Sequence, residues 1–421
     1  MTLRRNILAN YIGSGVVSLA PILALPWYLS LLGPQQFGLL GFIVTLQAIL
    51  ALVDAGMSQA LVREITIRLS LKKDSQYITA TLLFDFERIY WCFAILVGCI
   101  TMLLANFIAL NWLKLGNLPL EIGRQAIYGA GLLFVAQFPG SIYRSLLVGA
   151  QAQIKLNGVM LSAAVLRHIG GVIVVIFWPT LMAYLIWHIL ISFLETLIRS
   201  KLAWDELRTK RSQVKYQLKK LRPTWSLIAG MSGAAWLGAL TVQMDKIILS
   251  KMIPIEQFGY YVIASMIAGG MLQLIYPLIQ AVLPRVIQLR DRPSDLFKLN
   301  FKLFKLIALI SSFILVFYVL FGNLTLDLWL MNSKATAAIH PLLNILLLGT
   351  LLNAFYNVGY INWIAFEKTK RIINVNLLAF VLSLSLVPSL VVWLGAIGAA
   401  FSWLIINLIG FALSLEWIKH K

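Results

Sequence analysis

Five charged residues stand within stretches otherwise suited to a lipid bilayer: Asp54, Arg144, Arg167, Asp245 and Lys246. An ionised group at the centre of a bilayer costs about 2.5–3.5 kcal/mol or more, so such groups face a bundle interior or an aqueous cavity and mark a cargo path. Arg144 has polar company. Gln137, Ser141 and Arg144 are spaced i, i+4 and i+7, on one helix face, with Pro139-Gly140 between them to open the backbone. Arg167 follows on the next apolar stretch, beside His168. A guanidinium offers a planar fork that pairs phosphate oxygens two at a time. With Lys246 there are more candidate cations than anions at cavity depth, which points to an anionic cargo. Asp54 and Asp245 are candidates either for proton or sodium coupling or for purely structural roles. Against Lys246 as a cavity-lining cation stand its neighbour Asp245, which is open to simple pairing, and the divergence of adjacent helix residues.

Neutral polar stripes accompany the charges. Asn6, Asn10, Ser14 and Ser18 recur every four residues, Gln273 and Gln280 are seven apart, and Asn353, Asn357 and Tyr360 share one face. Hydrogen bonds between helices, worth about 0.6–2 kcal/mol each, account for some of these. The remainder, Asn10, Asn353 and Asn357 among them, suit a wet lumen that handles a hydroxyl-rich cargo.

Long apolar helices must position these groups. The chain has 421 residues, 60% hydrophobic and only 12% charged, about half the charge of a soluble domain. The expected fold is therefore all-α and polytopic, with about twelve spans near 7–32, 37–61, 86–110, 126–149, 157–178, 180–198, 226–250, 258–283, 303–326, 341–364, 372–393 and 397–417. The basic start MTLRRN leads into an apolar run too long for a signal core, read as an uncleaved first span. The net charge of +19 is concentrated in alternate connections, including 199–225 and 284–305, while the other set holds only Lys114, Arg124, Lys251 and Lys334, which argues against a nucleic-acid reading and places both termini in the cytoplasm.

The basic linker at 199–225 divides a six-span bundle over 1–198 from another over 226–421. GPQQFG at 33–38 is echoed by PIEQFG at 254–259, each opening the second span of its half. Six spans per half give a parallel repeat, an arrangement that encloses a central cavity with alternating openings. Phosphate-loop and dinucleotide motifs are absent, the four histidines are scattered, and Cys92 and Cys99 sit about 10 Å apart on one helix, beyond disulfide reach. No cofactor, metal or catalytic residue is expected. Short outer connections leave no room for the periplasmic catalytic loop of a membrane glycosyltransferase.

The sequence resembles a family at these points. The opening NYIGSGVVSLAPILALPWYLSLLGPQQFG, then LVDAGMSQALVRE at 52–64, SLLVGAQAQIKLNGV and VQMDKIILSKMIPIEQFGYY are similar to the Wzx-type O-antigen flippases, in the polysaccharide transporter branch of the MOP superfamily. The resemblance implies a MATE/MOP-like pair of bundles that moves an undecaprenyl-diphosphate-linked oligosaccharide repeat unit from the cytoplasmic to the periplasmic leaflet of an inner membrane. It also implies a polysaccharide polymerase and a chain-length regulator as partners. The rivals are a MATE-like cation-coupled exporter, whose cavity should favour acidic residues, a lipid II flippase with further spans, and a glycosyltransferase. Within LVDAGMSQALVRE, the apolar run 37–53 is seventeen residues, about 25 Å of helix, so Asp54 need not lie deep. It either marks a helix break or stands in a cavity mouth.

Overall fold

The computed structural model describes residues 3–54, 57–70, 75–207, 209, 211–214, 238 and 240–420. Its elements are helices, and none of the described residues forms an extended strand. The chain divides into two compact units, Met1–Trp236 and Leu237–Lys421.

The first unit holds α1 (Leu3–Ala51), α2 (Met57–Ser70), α3 (Ser75–Leu103), α4 (Ala105–Asn111), α5 (Leu120–Gln137), α6 (Gly140–Gly149), α7 (Gln153–Phe177) and α8 (Leu181–Leu207). The second holds α9 (240–252), α10 (Ile255–Gln288), α11 (Pro293–Leu330), α12 (Ser333–Ala365), α13 (Thr369–Leu394) and α14 (Ala396–Ser414).

Local chemistry explains the breaks. Gly33 interrupts α1 with φ 77° and ψ 163°, a conformation open to glycine and costly for other residues. Pro34 then restarts the helix with its φ already set. Pro139 separates α5 from α6, because proline has no N–H to donate and its ring crowds the preceding turn. Pro293 occupies the first turn of α11, and the Asn332 side chain caps α12 by accepting from the Ala335 N–H at 3.0 Å.

Ten helical stretches among the described residues are long and apolar enough to cross a bilayer, so this is a multi-pass membrane protein. The expectation was about twelve. The first expected span and most of the second fall within a single helix kinked at Gly33, which ends at Ala51 short of the expected 61, and the seventh, 226–250, lies mostly outside the described residues. Two other bounds also differ. The third span begins at Ser75, ahead of its buried carboxylates Asp85 and Glu87, and α8 runs on to Leu207, into the segment expected to be linker.

In the first unit α5 packs on α1, α3 and α8, and α7 lies against α1 and α8. Phe86, Tyr90, Phe134, Phe138 and Leu146 form its core. In the second unit α12 is central, packed on α10, α11 and α14. A Cβ built on Gly359 of α12 would lie 2.1 Å from the Ser414 carbonyl oxygen of α14, so only glycine allows this helix approach. The outward faces are apolar: Phe313, Val319 and Leu328 of α11 are 74%, 79% and 70% exposed, as lipid-facing side chains should be. The two Gln-Phe-Gly echoes occupy equivalent places. Each lies in the first turn of a helix, after Gly33 and after Pro254, with its phenylalanine, Phe37 or Phe258, buried.

Candidate functional site

The first unit gathers five charges from four elements. Asp54 lies in the short turn Leu52–Asp54 after α1. Its carboxylate accepts the Ser58 hydroxyl of α2 at 2.6 Å and the Tyr90 hydroxyl of α3 at 2.7 Å. Ser141 of α6 also hydrogen-bonds it, and Arg144, one turn further along α6, acts on it electrostatically. Burial pushes the Asp54 carboxyl above the usual carboxylate range, and these hydrogen bonds and the Arg144 charge pull it partly back.

On the other side of Arg144 lies a triad. Glu195 of α8 is paired with Arg199, one turn along the same helix, and with Arg167 of α7. The three side chains are only 10%, 14% and 20% exposed. Both Arg144 and Arg167 are close enough for their charges to act on Arg199. Arg199 also lies over Gly140, where an added Cβ would sit 3.4 Å from its Nη1. Arg144 itself is exposed and has no salt bridge among the described residues. Three guanidiniums therefore face two carboxylates, Asp54 and Glu195. The set can hold an anion, with Arg144 as the free arm.

The sequence-derived residues are distributed as follows. Asp54, Ser141 and Arg144 meet. Gln137 does not join them; its Nε2 donates to Ser192 Oγ on α8 at 3.0 Å, one turn before Glu195. Arg167 is present with a counter-ion. The side chain of Asn10 lies outside the described residues. Asp245 of α9 is buried, and accepts the Tyr261 hydroxyl at 2.6 Å and the backbone N–H of Lys246 at 2.7 Å. The Lys246 Nζ lies 3.4 Å from the same carboxylate, so the two neighbours pair with each other although adjacent helix residues point apart. The flexible lysine stem folds back, which a rule about Cβ directions does not capture.

Several contributors were not read from the sequence. Arg199 was assigned to the linker, although its i, i+4 spacing from Glu195 is a signal for a helical ion pair. Two of the four scattered histidines also come together. His168 and His188 rings are 5.6 Å apart, His188 stacks on Tyr184 at 3.8 Å, and the Tyr28 hydroxyl donates to the His168 carbonyl at 3.1 Å.

The second unit contains a different kind of pocket, about 340 Å³, between α9, α10, α12, α13 and α14. Asn353 and Asn357 line it with Gln280 and Tyr360, and the structure adds Asn376, Asn407, Tyr276, Tyr356 and Trp403. None of the described lining residues is charged. Asn353 donates to Asn407 Oδ1 at 2.7 Å, Asn357 donates to the Asn353 carbonyl at 2.8 Å, and Asn407 donates to the Trp403 carbonyl at 2.8 Å. Hydrogen bonding between helices accordingly explains part of the amide stripe, and the same amides also line a pocket.

Comparisons with known proteins agree with this architecture. The family model described as "Polysaccharide biosynthesis protein" matches residues 3–290. A Shigella flexneri protein described as a candidate O-antigen transporter is 23% identical, over 100% of this chain and 98% of its own length. Among solved structures, an inward-facing MATE family transporter of the MOP superfamily superposes with a TM-score of 0.76 at 14% identity, covering 96% of this chain and 94% of its own. The lipid II flippase MurJ, in an inward closed conformation, gives 0.73 at 15% identity, over 98% and 87% of the two chains. The chain belongs to the polysaccharide biosynthesis protein family, and it has the fold of the MOP-superfamily transporters.

Proposed function

We propose that this protein is a flippase for lipid-linked oligosaccharides. In this reading it moves an undecaprenyl-diphosphate-linked repeat unit from the cytoplasmic to the periplasmic leaflet of the inner membrane, for O-antigen or a related surface polysaccharide. The two halves alternate their openings, both termini face the cytoplasm, and a polymerase and a chain-length regulator take up the product.

The observation that carries the reading is the arginine cluster of the first unit. Arg144, Arg167 and Arg199 outnumber their carboxylates within a helical membrane bundle. A diphosphate supplies the missing negative charge and matches guanidinium geometry. An organic cation, the cargo expected of a small-molecule exporter, would meet like charge there. Flipping unaided would strand the sugar hydroxyls and the diphosphate in hydrocarbon without hydrogen bonds, and a polar path removes that cost. The family match and the likeness to a candidate O-antigen transporter support the same cargo class.

The test is transport in reconstituted vesicles. A fluorescent polyprenyl-diphosphate oligosaccharide, placed in one leaflet, should become accessible in the other at a rate that depends on the protein. Arg144→Ala should slow it at unchanged protein content. In cells, deletion of the gene should trap single repeat units on the cytoplasmic side and abolish the surface polysaccharide. Trapping on the periplasmic side would identify a polymerase instead, and efflux of a cationic dye without lipid flipping would identify an exporter.

A further inference from the structure

The second-unit pocket has a chemistry of its own that the arginine cluster does not explain. We propose that it is a separate glycan-binding subsite, which reads an uncharged sugar ring of the cargo. This rests on the flippase reading and adds to it a location and a selectivity for the sugar.

Three features support the assignment. Its described lining carries neither a cation to hold a diphosphate nor a carboxylate to hold an organic cation. Its volume of about 340 Å³ is at the small end of ligand sites, which run from about 300 to 1,000 Å³. Its polar groups fall into two sets. Asn353, Asn357 and Asn407 are tied to each other and to the backbone, which fixes one wall. Tyr276, Gln280, Tyr360 and Asn376 line the same space, and none of their side chains hydrogen-bonds another described residue.

This combination suits a pyranose. A side-chain amide both donates and accepts, matching adjacent hydroxyls that do the same. Tyrosine and tryptophan rings present faces of partial negative charge, which attract the weakly positive C–H edge of a sugar ring. Tyr356 and Tyr360, with ring centroids 5.7 Å apart, and Trp403 supply such faces. A fixed wall lowers the ordering cost of binding, and the Gln280 and Asn376 amides, without a hydrogen-bond partner among the described residues, supply the new hydrogen bonds. A uronic acid in the same place would bring a carboxylate with no cation to pair it, so neutral sugars are favoured.

The experiment measures binding to the full-length protein in nanodiscs, using three synthetic probes. These are a polyprenyl diphosphate carrying a neutral trisaccharide, the same lipid with a hexuronic acid in place of one hexose, and the sugar-free polyprenyl diphosphate. The wild-type protein should prefer the neutral glycolipid over the acidic one. Gln280→Ala and Asn376→Ala, each removing a side chain that hydrogen-bonds no other described residue, should weaken the neutral glycolipid roughly 2- to 12-fold, the worth of one hydrogen bond. Tyr360→Phe, which keeps the ring, should do the same. All three should bind the sugar-free lipid like wild type. If affinity for the neutral glycolipid is unchanged in all three variants, the subsite is refuted. Equal weakening of the glycolipid and the sugar-free lipid refutes it as well, because the pocket would then not be reading sugar. If wild-type protein binds no polyprenyl diphosphate, with or without sugar, the flippase reading itself fails, a result distinct from either of these.

Discussion

Replacing Glu195 by glutamine separates the two roles that the arginine triad could have. The change preserves shape and removes one negative charge between two guanidiniums, all three side chains being 20% exposed or less. Hydrogen bonds to charged groups contribute about 1.5–3 kcal/mol each, and breaking a buried ion pair costs about 3–5 kcal/mol. Glutamine still accepts one hydrogen bond, so the lower end applies, and Glu195→Gln should lose about 3 kcal/mol of stability. If the arginines are a cargo site, a diphosphate should substitute for the lost carboxylate. A ligand at a hundred times its Kd stabilises by about 2.7 kcal/mol, close to the whole loss. Thermal unfolding of the purified protein, with and without sugar-free polyprenyl diphosphate, reads both effects. The variant should unfold earlier than wild type when free, and should be stabilised more than wild type by the lipid. An unchanged midpoint would show that the triad carries no electrostatic load. A lower midpoint that the lipid fails to raise would mean that Arg167 and Arg199 serve only to hold α7 against α8.

Three further outcomes follow from the same geometry. Arg144→Ala should cut flipping at least tenfold, about 1.4 kcal/mol, with membrane abundance unchanged because Arg144 is exposed and lacks a salt bridge among the described residues; loss of the protein from the membrane would make its role structural. Asp54→Asn should flatten the dependence of stability on pH. The folded-state value of Asp54 is raised, so its contribution is fully present below the unfolded carboxyl value of about 3.9 and is lost as pH rises through the folded value; unfolding curves from pH 4 to 8 with equal slopes for both proteins would contradict this. Gly359→Ala should destabilise the second unit by about 1–3 kcal/mol, since its Cβ would lie 2.1 Å from the Ser414 carbonyl oxygen; a shift below about 0.5 kcal/mol in denaturant unfolding would show that α12 and α14 can separate freely.

The spans were legible because hydropathy over about twenty residues reports directly on the bilayer. The groupings within them were legible only as far as each helix stayed unbroken. Ser141 and Arg144 both lie on α6, and their shared face does meet Asp54. Gln137, placed with them by the same periodicity, is the last residue of α5, and the break at Pro139 turns it towards Ser192 instead. A helical repeat predicts a common face within one helix and nothing across a proline break. Contacts between helices were out of reach for a different reason. Arg167 and Glu195 are 28 residues apart, and no local spacing announces the pair. The same holds for Asn353 with Asn407, 54 apart, and for His168 with His188.

Phe37 and Phe258 are buried in the first turns of equivalent helices, so the repeated Gln-Phe-Gly belongs to the scaffold, and neither motif touches the arginine cluster or the amide pocket. What differs between the halves is the lining. One unit offers guanidiniums in excess of carboxylates, and the other offers amides and aromatic rings without charge. A cargo with a single chemical character would call for similar linings on both scaffolds. The proposed cargo, an anionic headgroup joined to an uncharged glycan, calls for two, and on a shared scaffold that specialisation rests in side chains such as Arg144 and Asn376.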